Sequence, residues 1–215
     1  MNTLDRILEN KIIAILRGLS EEEILRTGEA LLKGGVSFIE VTFNFAGDLE
    51  ATPRAIAALR RAFGNDLCAG AGTVLTTETV QMAADAGAQY IITPNTDEAV
   101  IRKTKELGLI AMPGAMTPTE VVQAHRFGAD IVKIFPSGDL GPGYIKALKG
   151  PLGFIPMAAV GGIDEHNIAA YLKAGACCAG VGGKLANLAA IRSGDFASIE
   201  ACAKALVTAA QEATA

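Results

Sequence analysis

The chain has 215 residues, half of them hydrophobic and 20% charged. That balance supports one large buried core or two small ones and excludes an extended disordered chain. A net charge of −4 and a pI near 5.3 argue against nucleic acid or an anionic membrane surface as the main partner.

Mean hydropathy is positive, at +0.34, yet Gly, Pro or charge interrupts every apolar run, and none reaches the roughly 18 residues of a spanning helix. The opening MNTLDRILENK carries acids and no apolar h-region, so no signal peptide is expected and a cytoplasmic setting is. Cys68, Cys177, Cys178 and Cys202 show no CxxC spacing and have no nearby histidine, so reduced thiols are expected, with no metal and no cofactor. His125 and His166 both fall within predicted helices, which weakens any Ser-His or Cys-His hydrolase reading.

In chain order, residues 3–10 predict a leading helix and Ile12–Leu16 a first strand. Ser20 with Glu23 forms a capping box for a helix to Lys33, stopped by Gly34 and Gly35. A second strand (38–43), a helix (48–63), a third strand (67–73) and a helix (76–86) follow. Next come strands at 90–93 and 109–112, each followed by a helix, at 96–107 and 117–127. The run Ile131 to Pro136 is a sixth strand, with a short helix near 141–149 behind it. Strands at 154–160 and 177–181 flank a helix at 164–174, and an Ala-rich helix near 196–213 ends the chain.

Helix-stopping glycines recur at Gly87, Gly108 and Gly128, steps of 21 and 20 residues. The strands between them show little alternation, as expected when both faces are covered. Eight strand–helix units predict an α/β fold, a (β/α)8 TIM barrel in one domain over residues 1–215. A doubly wound open sheet is the competitor, but it would carry one dominant phosphate loop after its first strand.

Barrels place their chemistry at the carboxyl ends of the strands. There the sequence offers Arg17, Glu40, Thr42, Thr73, Thr93, Asn95 and Lys133. Alternation turns Ile39, Val41 and Phe43 toward the helices and Glu40 inward; by the same logic Val132 and Ile134 face out and Lys133 in. A charged amine inside an apolar run is costly unless it is paired or neutralised. The plain readings are a snorkelling lysine or a structural Glu40–Lys133 ion pair. The chemical reading is a desolvated amine of lowered pKa that attacks carbonyls, with a carboxylate beside it to move protons. Gly161-Gly162 after the seventh strand and Gly182-Gly183 after the eighth would bring backbone N–H groups close to an anion, with Asp164 opening a helix and Lys184 adding charge.

These residues fall in motifs that resemble a known family: IIAILRG at 12–18, IEVTFN at 39–44, GAGTVL at 70–75, ITPN at 92–95, VKIFPS at 132–137 and VGGI at 160–163. The chain resembles the bacterial class I aldolases acting on 2-keto-3-deoxy-6-phosphogluconate or -galactonate, including those for 4-hydroxy-2-oxoglutarate (the KDPG and KHG aldolases). The resemblance implies a Schiff-base lysine at Lys133 and a general acid/base at Glu40. It implies substrate contacts at Arg17, Thr73, Pro94 and Val160, and a phosphate site at Gly161, Gly162, Gly182, Gly183 and Lys184. It also implies a phosphorylated keto acid substrate, pyruvate as a product, and usually a homotrimer. Departures from the family are Asn44 where some relatives carry arginine, Lys184 where many have serine, and Val160 where many gluconate-type enzymes have threonine; together with Phe135-Pro136-Ser137 and GPGYIKALK at 141–149, Val160 leans toward the galactonate branch. The rival functions are a phosphate-binding epimerase or synthase without a Schiff base, and a phosphosugar-binding barrel without catalysis.

Overall fold

The computed structural model describes residues 2–213; Met1, Thr214 and Ala215, the extreme ends of the expected domain, lie outside the described residues. Nine strand segments form one parallel sheet: β1 (Ile12–Leu16), β2 (Phe38–Thr42), β3 (Cys68–Gly72), β4 (Tyr90–Ile92), β5 (Ile110–Met112), β6 (Gly114–Ala115), β7 (Val132–Ile134), β8 (Met157–Val160) and β9 (Cys178–Val181). Their spatial order is β5-β4-β3-β2-β1-β9-β8-β7-β6. Only Pro113 separates β5 from β6, so the two ends of that order meet in one strand. Proline lacks the N–H that a ladder needs, and the strand is split at that residue. On its far side Lys133 N donates to Pro113 O at 2.9 Å and Phe135 N to Ala115 O at 3.1 Å. The sheet therefore closes, and the segments count as the eight strands of the expected barrel.

Alternation sorts the core into two layers. Ile39, Val41, Phe43, Val132 and Ile134 join the outer cluster between strands and helices. Ile13, Phe38, Cys68, Tyr90, Ile92, Met112, Val160 and Cys178 fill the barrel interior. The leading helix (Thr3–Asn10) plugs the amino end: Ile7 belongs to the interior cluster, and the Arg6 guanidinium lies 5.7 Å from the centroid of the Phe38 ring. A closed parallel barrel shields its strands on both faces, which explains their near-continuous apolar reading.

Four expectations about elements are corrected. The fifth strand runs on past Pro113 as Gly114–Ala115. Short helices at Ser137–Leu140 and Leu188–Ser193 were not foreseen. The strand expected over 154–160 starts only at Met157, after Pro156. The helix expected from Asp164 begins at Ile168. There Asp164 Oδ1 accepts from His166 N (3.0 Å) and Asn167 N (3.2 Å), while Asn167 Oδ1 accepts from Asp164 N (3.0 Å). Side chains that bond neighbouring backbone N–H groups hold the chain in turns and delay the helix.

Candidate active site

Glu40 and Lys133 both point into the barrel, as alternation requires, and both are enclosed: 2% of Glu40 and 7% of Lys133 remain exposed. Small residues neighbour both in the sheet. Lys133 is flanked in the sheet by Gly114 on β6 and Ala158 on β8. Glu40 pairs with Gly70 of β3, and a Cβ on Gly72 would overlap the Glu40 carboxyl. The glycines of β3 thus do more than turn the chain; they leave the volume that the carboxyl occupies.

No ion pair joins these two side chains: the ion pairs among the described residues lie elsewhere. Glu40 Oε2 has no hydrogen-bond partner in the protein. Burial pushes the Glu40 carboxyl above its ordinary range, against the opposing pull of Lys133 and Arg17. Burial lowers Lys133, with Glu40 pulling it back up and Arg17 pushing the same way as burial. Each group therefore sits closer to its neutral form than it would in water. The Lys133 ammonium lies 5.0 Å from the centroid of the Phe135 ring, within cation–π range.

Phe135 connects this buried pair to an open pocket of about 410 Å³ at the carboxyl end of the barrel. The pocket is lined by Arg17, Val160, Gly161, Gly162, Gly182, Gly183 and Lys184, among others. The two glycine pairs are glycines for different reasons. Gly161 and Gly162 have φ of 93° and 73°, and Gly162 packs against Gly138, so the local backbone demands them. A Cβ on Gly182 or Gly183 would meet nothing within 4 Å, and neither has positive φ. Nothing inside the protein requires glycine there, whereas close approach of a ligand would. The expected helix start at Asp164 is replaced by the Asx turn, so the help of a helix dipole at the first glycine pair is withdrawn.

Loops β7 and β8 are tied together beneath this pocket. Ser137 Oγ donates to Ile134 O (2.7 Å) and accepts from Val160 N (3.2 Å), and Gly138 N donates to Gly161 O (2.7 Å). Tyr171 OH donates to Ser137 O at 3.0 Å from the following helix.

The remaining expected site residues divide. Arg17 and Val160 line the pocket, Arg17 exposed and Val160 buried at its base. Lys184 is exposed at its rim. Thr73 and Pro94 lie outside the pocket lining, on the loops after β3 and β4. Thr73 has φ of 55°, a conformation a β-branched residue rarely adopts, costing about 1–3 kcal/mol. The Pro94 loop is held by Gly114 N, which donates to Asn95 O at 3.2 Å, and by Thr96 Oγ1, which donates to Gly114 O at 2.8 Å. Sequence reasoning passed over Phe135, Ser137 and Tyr90. Alternation from Lys133 would have placed Phe135 on its face of the strand; the clamp made by Ser137 left no sequence signal.

Comparison with known proteins agrees with this geometry. The family model for KDPG and KHG aldolase matches residues 4–202. The 2-dehydro-3-deoxy-6-phosphogalactonate aldolase of Escherichia coli (strain K12) is 40% identical over 175 residues, 81% of this chain and 83% of that protein. The 2-dehydro-3-deoxy-phosphogluconate aldolase of Treponema pallidum (strain Nichols) is 33% identical over 203 residues, 94% of each chain. A solved structure described as native KDPGal superimposes with a TM-score of 0.86 at 37% identity, over 94% of this chain and 95% of that one. With an inward lysine and glutamate under a glycine-lined pocket, in a fold shared across nearly its whole length, the chain belongs to the KDPG and KHG aldolase family.

Proposed function

We propose that the protein is a class I aldolase that cleaves a 2-keto-3-deoxy-6-phospho sugar acid to pyruvate and glyceraldehyde 3-phosphate. The observation that carries this is an amine and a carboxyl enclosed together in the barrel without an ion pair between them. A structural pair would be held in contact, with its oxygens satisfied; here Glu40 Oε2 is free and Lys133 is biased toward the neutral amine.

The neutral Nζ of Lys133 attacks the C2 ketone to give a carbinolamine, which loses water to a protonated imine. Glu40 takes the proton of the C4 hydroxyl. The C3–C4 bonding pair moves toward the iminium nitrogen, an enamine forms, and the aldehyde leaves. The Glu40 carboxyl then returns the proton to C3, and water hydrolyses the pyruvate imine to free Lys133. The phosphate end of the substrate would lie against Gly161, Gly162, Gly182, Gly183 and Lys184, with Arg17, Thr73, Pro94 and Val160 around the keto acid. The pocket lining supports the glycines, Lys184, Arg17 and Val160, and the lack of any packing need for glycine at 182 and 183 supports the phosphate end; Thr73 and Pro94 rest on the family resemblance alone. The same reading takes residues 1–215 as one barrel domain, galactonate-type substrates as preferred, a homotrimer as the assembly, and the cytoplasm as its setting. Four free cysteines suit a reducing compartment, and no helix among the described residues is long and apolar enough to cross a membrane.

Borohydride reduction with pyruvate should add a covalent mass that maps to Lys133 by peptide mass spectrometry; adduct on any other lysine sinks the mechanism. Turnover of the galactonate 6-phosphate should exceed that of the gluconate epimer by about tenfold in kcat/KM, a difference of about 1.4 kcal/mol. A gluconate preference would reverse the branch assignment. Light scattering should give three times the 22.2 kDa chain mass, and a monomer would refute the trimer. Finally, a folded-state pKa raised above the unfolded one favours folding at low pH and opposes it once pH rises through the folded value. Glu40→Gln should therefore raise Tm at pH 7, by about 2–4 °C for each kcal/mol relieved. The gain should fade as pH falls toward the ordinary carboxyl value of 4.5, and a Tm loss at pH 7 would contradict the burial cost.

A further inference from the structure

Two buried side-chain oxygens among the described residues lack any hydrogen-bond partner: Glu40 Oε2 and the Tyr90 hydroxyl. They are neighbours. Glu40 pairs with Gly70, and the register Ala71↔Ile91 sets Gly70 beside Tyr90, so the three residues form one row across β2, β3 and β4. A Cβ on Gly70 would overlap the Tyr90 ring, just as one on Gly72 would overlap the Glu40 carboxyl. The ring and the carboxyl thus occupy adjacent slots on one face of β3. Those slots are two residues apart on one strand face, and one water held by two hydrogen bonds of about 2.8 Å links polar tips that come within about 5 Å of each other.

The hydroxyl is not needed to fill space, since Phe would occupy the same slot. Tyr90 is fully buried, at 0% exposure, and a buried phenol without a partner costs about 1–3 kcal/mol. Its nearby titratable groups are Glu40, the Cys68 thiol of β3 and the Cys178 thiol of β9. Sulfur is a weak acceptor, and burial favours the protonated Cys68 thiol while the Cys177 thiol and then burial do the same for Cys178. Glu40 is left as the strong acceptor. Glu40 is faced in turn by Lys133 of β7, Arg17 after β1, and Tyr90.

We propose that Tyr90 is a positioning residue for Glu40, its hydroxyl donating through one ordered water to the Glu40 carboxylate, fixing that carboxylate in the barrel and favouring its ionised form. This rests on the reading of Glu40 as the general acid/base. A donor to the charged form lowers a carboxyl's pKa, so removing it raises that pKa. Lys133 and Arg17 are untouched by the change and keep their own contributions.

The test is Tyr90→Phe, which keeps the ring and removes only the oxygen. The acid limb of kcat/KM against pH should move up by about 0.5–1 unit, the size of one modest hydrogen bond. On that limb this is a three- to tenfold loss, while pyruvate trapping on Lys133 at the pH plateau stays within twofold. A double-mutant cycle with Glu40→Gln, read by Tm at pH 7, should show that the two changes are coupled rather than additive. A pH profile that overlays the parent's, or an additive cycle, makes Tyr90 a core filler and overturns the proposal. Parent-like turnover by Glu40→Gln alone would instead remove the acid/base role of Glu40, and this proposal with it.

Discussion

Taking an ammonium and a carboxylate out of water together is the constraint to which the barrel answers. Lys133 and Glu40 are almost fully enclosed, and enclosure of separate charges costs several kcal/mol each unless they neutralise. The fold meets that cost in two ways. It leaves both groups biased toward their neutral forms, and it sets small residues beside them, Gly72 where the carboxyl needs the space and Gly114 and Ala158 as the strand partners of Lys133. The same arrangement that weighs on stability supplies a nucleophile and a proton carrier at neutral pH on the proposed reading.

The closed sheet makes this arrangement durable. A strand face turned inward in a closed barrel has no sheet edge that opens the charged side chains to solvent from the side. Closure depends on a strand interrupted at Pro113, whose carbonyl, together with that of Ala115, accepts the N–H groups of Lys133 and Phe135. The strand that carries Lys133 is thereby registered against the very segment where the ladder is broken.

Much of this was legible in the sequence because it depends on periodicity. Alternation along β2 and β7 turned Glu40 and Lys133 inward, and the glycine punctuation counted the strand–helix units. Features that arise from side chains bonding across the fold were not legible. The Asp164–Asn167 turn, which removes the expected helix start, is set by reciprocal side-chain to backbone bonds. The Ser137 clamp and the slot that receives Tyr90 depend on which strands become neighbours. Thr73, picked from a motif, proves to be a strained residue outside the pocket lining, and no local pattern announces a left-handed threonine.

The bonds between the loops after β7 and β8 carry one more consequence. Ser137 Oγ holds Val160 N, and Gly138 N holds Gly161 O, so the strand bearing the amine and the loop bearing the first glycine pair are a single rigid mount. On the proposed reading one end of the substrate is anchored covalently and the other electrostatically, both on that mount. The protein then behaves as a gauge of fixed length, admitting chains by the number of carbons between ketone and phosphate. Stereochemistry at the intervening carbons is left to the side chains around the rim.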